Sequence, residues 1–228
     1  MTFTTTQPSQ VQGLEGYSVN PIFTVGETIT GTTGALNSTT AGNYTPIGIL
    51  DGTGAYELDE NTVRIFVNHE VGNTAGYAYT LASGATLTGT RVSYFDIDKA
   101  TLDVVDSGLA YDTIYNRAGN AVGVNGAVLD TSSGTSGLNR FCSANLIEAE
   151  VFGADRGFVD TIFFTGEETT GGTEFALDVA TGELWALPWL GRAAWENVTE
   201  VDTGNTTHIA LLVGDDRSSA RVDLNGDG

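Results

Sequence analysis

Three apolar runs of this chain each stop at carboxylates. They are Val63-Arg64-Ile65-Phe66-Val67-Asn68-His69-Glu70, Thr161-Ile162-Phe163-Phe164-Thr165-Gly166-Glu167-Glu168 and His208-Ile209-Ala210-Leu211-Leu212-Val213-Gly214-Asp215-Asp216. Clustered carboxylate oxygens are the ligands of hard cations such as calcium. Cys142 is the single cysteine; its thiolate would add a ligand for a transition metal, while a lone cysteine also serves as a small buried hydrophobe. In Gly191-Arg192-Ala193-Ala194-Trp195-Glu196 an arginine precedes a glutamate by four positions. The guanidinium fork matches phosphate or carboxylate, and the same spacing is that of an ion pair on one helical turn. A Gly-rich phosphate loop, a His-x-x-x-His pair and a Gly-x-Ser-x-Gly elbow are missing from the sequence, and with only His69 and His208 a Ser-His-Asp triad has few bases to draw on.

Groups of this kind need rigid elements that end at one place. A short β-branched and aromatic run between turn residues predicts a buried strand. Strands are therefore expected at Val63–Asn68, 161–165 and 208–213, each carrying its acids at its end, where burial is costly without a compensating cation. Ser18–Val25 is a further candidate strand, and the rest of 1–45 reads as loop. Arg91–Asp98 turns at Lys99-Ala100-Thr101 into Leu102–Val105; Glu174–Val179 turns at Ala180-Thr181-Gly182 into Glu183–Leu187. The two hairpins share an aspartate at the turn. Residues 118–140 form a Gly/Ser/Asn-rich loop closed by Asn139-Arg140-Phe141-Cys142-Ser143, and Asn145–Val151 is a short helix or strand. Repeated hairpin units suggest an all-β chain built of β-propeller blades with long loop insertions. The division expected is an extended segment over 1–45, a partial propeller over 46–217 and a tail over 218–228. The last strand lies so near residue 228 that the chain reads as truncated before such a ring closes. Its final Asp223-x-Asn225-x-Asp227-Gly228 matches the opening of a calcium loop without the closing glutamate.

Charge narrows the partners. Acids number 29 against nine Lys and Arg, a formal charge of -20. That surface repels nucleic acid and anionic membranes and attracts cations; it also serves plain solubility. Gly 30, Pro 4 and 40% apolar residues fit a turn-rich globular chain rather than a disordered one. One cysteine allows no internal disulfide, and no signal peptide or membrane-spanning run stands out.

Taken in order, Val67-Asn68-His69-Glu70, Asn139-Arg140-Phe141-Cys142-Ser143, Thr165-Gly166-Glu167-Glu168, Gly191-Arg192-Ala193-Ala194-Trp195-Glu196 and Gly214-Asp215-Asp216 resemble the PhoX-type alkaline phosphatases and their uncharacterised relatives. The resemblance runs from about Pro46 to Asp216. It implies a secreted, extracellular or periplasmic phosphomonoesterase, monomeric, on the first blades of a six-bladed propeller, with two ferric and several calcium ions bridged by an oxo group. Carried over residue by residue, it makes Cys142, one or both of Glu167 and Glu168, and Glu196 metal ligands, with Glu70 and Asp216 as further candidates, and gives Arg192 the phosphate. Trp195 departs from the histidine that many relatives carry before the glutamate. The alternative expectation is a non-catalytic, calcium-binding extracellular β-domain.

Overall fold

The computed structural model describes residues 2–32, 42–131 and 134–216. Over these residues the chain is all-β, arranged in several sheets of which none closes on itself. A short pair, β1 (Ile29–Thr30) and β2 (Asn43–Tyr44), precedes the first large sheet. That sheet is an antiparallel meander of β3 (Leu50–Glu57), β4 (Thr62–His69), β7 (Val92–Asp98) and β8 (Val104–Leu109), with the short β5 (Tyr79–Thr80) and β6 (Thr86–Gly89) inserted between β4 and β7. After β9 (Thr113–Tyr115) and β10 (Gly137–Leu138), the second meander runs β11 (Phe141–Ile147), β12 (Ile162–Glu167), β13 (Glu174–Asp178) and β14 (Glu183–Ala186), with β9 added in parallel on its outer edge. A third antiparallel pair, β15 (Trp195–Val201) and β16 (Ala210–Asp215), follows.

The side-chain period of two decides how these sheets stack. On β4, Phe66 faces the second sheet while Val67 faces the N-terminal segment; on β7, Tyr94 and Phe95 divide in the same way. On β12, Phe163 meets Phe66 with ring centroids 5.4 Å apart, and Phe164 turns to Val198 of the third sheet. The result is a row of layers: N-terminal segment, first sheet, second sheet, third sheet. Buried aromatic residues lie at each junction and add to the apolar area removed from water.

Two of the predicted hairpin turns are the same device. Asp98 Oδ1 accepts the N–H groups of Ala100 and Thr101, and Asp178 Oδ1 accepts those of Ala180 and Thr181. Each carboxylate closes the turn joining the third and fourth strands of its meander.

Several expectations give way. Ser18–Val25 forms no strand; Ile22 and Phe23 pack on the first sheet from irregular backbone, Phe23 stacking on Phe95 at 4.0 Å. The segment 1–45 is thus not only loop: it covers one face of the first sheet with Phe3, Ile29 and Tyr44. Of Asn145–Val151, expected as a short helix or strand, residues 145–147 are strand, the end of β11, which starts earlier and carries Cys142 within it; residues 148–151 are not. The Arg192-to-Glu196 stretch is not a helical turn; Trp195 opens a strand. The last strand pairs antiparallel with β15, which precedes it. Among the described residues no helix is long and apolar enough to cross a membrane. The calcium-loop-like Asp223–Gly228 lies outside the described residues.

Candidate metal centre

The three sheets repeat one corner. In each, the first residue of the first strand is in register with the last residue of the second: Leu50 with His69, Phe141 with Glu167, Trp195 with Asp215. A bulge follows at once in all three, between Leu50 and Thr53, Phe141 and Ala144, and Trp195 and Asn197. Each second strand is then held back by the same hydrogen bond. The N–H of Glu70 donates to Ile49 O, that of Glu168 to Arg140 O and that of Asp216 to Ala194 O, all at 2.9 Å. One step past the registered pair, the corners present Asp51 and Glu70, Cys142 and Glu168, and Glu196 and Asp216. Bulges re-aim side chains at strand ends, and here they deliver two potential ligands per sheet.

Close packing brings the corners together. A Cβ on Gly52 would lie 2.4 Å from Ala144 N and 2.6 Å from Cys142 O, so only glycine lets β3 lie across β11. A Cβ on Gly166 would lie 2.3 Å from Trp195 Cβ, which draws β15 against β12. Ser143 Oγ donates to the Glu196 carbonyl, tying the second corner to the third. Candidate ligand atoms of Asp51, Glu70 and Cys142 lie within 4.8 Å of one another, and so do those of Cys142, Glu168 and Glu196. Ligands sharing one calcium at about 2.3–2.6 Å from the ion are separated by up to about 5 Å, so both groups match the size of a cation site. Cys142 belongs to both, and its Sγ is 3.8 Å from Glu196 Oε2.

Electrostatics shows how little the protein itself compensates this crowd. Like charges 4.8 Å apart repel by about 3 kcal/mol at an effective dielectric constant of about 20, before screening by salt. Partial burial and then repulsion from Asp51, Glu196 and Glu168 push the Cys142 thiol up to about 12. Glu70 and Glu196 are raised by desolvation and by neighbouring carboxylates. Asp216 is raised by its hydrogen bond to Glu168 and by the charge of that carboxylate. Glu168 feels some desolvation, but the bonds from Arg140 and Asp216 prevail and hold it below the ordinary range. Arg140 Nη2 reaches both Glu70 Oε1 at 2.5 Å and Glu168 Oε2 at 2.7 Å.

The donor set is carboxylate oxygens, which suit hard cations, and one sulfur, which suits a transition metal. A buried polar orphan sits beside it. Asn68 is fully buried; its Nδ2 donates to Cys142 O at 2.7 Å, while its Oδ1 finds no partner among the described residues. Such an acceptor calls for a cation or a water.

Of the residues singled out by sequence, the structure brings together Cys142, Glu168, Glu196 and Glu70, with Asp216 bonded to Glu168. It leaves Glu167 out. Alternation along β12 turns that side chain into the interior, where Oε1 accepts Asn139 N–H at 3.0 Å and Oε2 accepts Thr173 N–H at 3.1 Å. Burial, partly offset by those two bonds, pushes Glu167 up to about 8. Arg192 donates to Gly171 O and Asp130 O, each at 3.1 Å, and so joins two loops; Arg140 is the guanidinium paired with Glu70 and Glu168. Asp51 was not foreseen, because Leu50-Asp51-Gly52-Thr53-Gly54 has the composition of a turn. The signal that finds it is the repeated corner, since every acidic strand end needs a registered partner. His69 is fully buried between Ile47 O and Ser93 Oγ, and burial pushes it down to about 4; Ser93 is equally closed off. This serine–histidine pair anchors the chain leading into the first corner. Comparisons with family models, with curated proteins and with solved structures find no match to this chain.

Proposed function

We propose that the three corners form a metal centre of the kind implied by the PhoX-type resemblance, and that the chain acts on phosphate monoesters. The observation that carries this reading is the threefold repetition of a bulged corner whose six ligand-type groups converge with a single bridging guanidinium. A structural salt-bridge surface has no need of that register. Stacked four-strand meanders fit the first blades of a propeller, whose blades present equivalent strand ends at one mouth. In this reading Asp51, Glu70, Cys142, Glu168, Glu196 and Asp216 hold calcium and ferric ions. Bound there, the cations neutralise the phosphate and stabilise charge as it develops during transfer. The protein fixes the ligands on strands, keeps Glu167 beneath them as a tie between Asn139 and Thr173, and leaves the mouth open to solvent for an extracellular substrate. The chain would work as a monomer, with no nucleic acid as partner.

The test is hydrolysis of p-nitrophenyl phosphate by protein supplied with calcium and iron, with metal content measured on the same sample. Turnover that disappears with chelation and returns with the metals is expected. Calcium binding with neither iron nor turnover would instead assign a calcium-stabilised β-domain.

A further inference from the structure

Resting on the metal-centre reading, we infer that Arg140 is a resident counter-cation that metal ions displace and that then takes the phosphate group, so that cation and phosphate binding are coupled through this side chain. One nitrogen of Arg140 bridges a carboxylate of the first corner and one of the second, and Nε donates to Glu168 O at 3.1 Å. The backbone of the corner does not require arginine. Ile49 and Ala194 occupy the equivalent positions, and their carbonyls accept the same hydrogen bond. Ile49 and Arg140 also share a left-handed backbone, with φ of 48° and 50°, so in these two corners that conformation does not depend on the arginine side chain.

Divalent ions bound through Glu70 and Glu168 would draw charge from the carboxylates that hold the guanidinium and would repel it. The Arg140 side chain is 46% exposed and has solvent to swing into. Beside a cationic cluster it is stabilised by an anion, and its planar fork fits a phosphate. The coupling is reciprocal: phosphate must tighten cation binding by the factor with which cations tighten phosphate.

The experiment titrates calcium into the chelator-stripped full chain by calorimetry, with and without inorganic phosphate, for the wild type, Arg140→Ala and Arg140→Lys. Circular dichroism and urea midpoints establish that the variants fold. Arg140→Ala, which installs the residue of the third corner, is expected to bind calcium about two- to fivefold more tightly without phosphate, the upper part of the range for loss of a competing exposed ion pair. It is also expected to lose the tightening that phosphate produces in the wild type, with Arg140→Lys between the two. Unchanged or weaker calcium binding by Arg140→Ala, or phosphate tightening that survives the substitution, overturns the inference and leaves the metal centre standing. A wild-type chain that binds no cation overturns both.

Discussion

Cys142 is the residue on which both ligand groups turn. Its thiol is protonated at neutral pH because burial, and then the neighbouring carboxylates, disfavour the thiolate, so a cation that takes the sulfur must displace a proton. Cys142→Ala is expected to abolish thiolate-to-iron absorption and to lower metal content and turnover at least tenfold, as even outer-shell changes at metal sites cost that much. Full retention of iron and activity would exclude the sulfur as a ligand. A second residue reports on folding rather than on the centre. Glu174 is buried, its Oε2 lacks a partner among the described residues, and burial raises it well above the ordinary glutamate range. A carboxyl raised in the folded state gives its full contribution below the unfolded value and loses it as pH rises through the folded one. Metal-stripped protein is therefore expected to lose urea resistance as pH rises above the ordinary glutamate range, and Glu174→Gln to lose less. Parallel pH profiles for the two proteins would contradict this.

Among the elements, the second strands and the hairpins were legible and the first strands were not. β4, β12 and β16 are built on short apolar runs that end at acids, and the repeated aspartate turns announce the hairpins that follow β7 and β13. β3 and β15 break the pattern where they matter most, because the bulge that aims Asp51 or Glu196 also disrupts the alternation by which a strand is recognised. That is why Glu70, Glu168 and Asp216 could be named from spacing while Asp51 could not. It is also why Glu167 was grouped with its neighbour: a doublet gives no sign of which member faces in. The inter-sheet contact at Gly52 is equally silent in sequence, being set by the nearness of Cys142 O. Gly52→Ala is expected to cost about 1–3 kcal/mol, the range for overpacking, by prying β3 from β11. Urea denaturation measures this, and calcium affinity should fall with it as Asp51 moves away; a neutral substitution would refute the close approach.

For the whole molecule, a formal charge of -20 and a cluster of carboxylates create a potential that attracts cations. Ligand bound to the folded state stabilises it by mass action, by about 2.7 kcal/mol at a hundred times the dissociation constant. Calcium is therefore expected to raise the melting temperature in proportion to the logarithm of its concentration. The most direct test compares calcium titrations of the wild type with one variant per corner: Asp51→Asn, Glu168→Gln and Glu196→Gln. If three sheets share one centre, each variant weakens binding by a similar large factor and the double variants lose less than the sum of the singles. Three independent, additive losses, or a corner whose variant binds as the wild type does, would contradict a common centre.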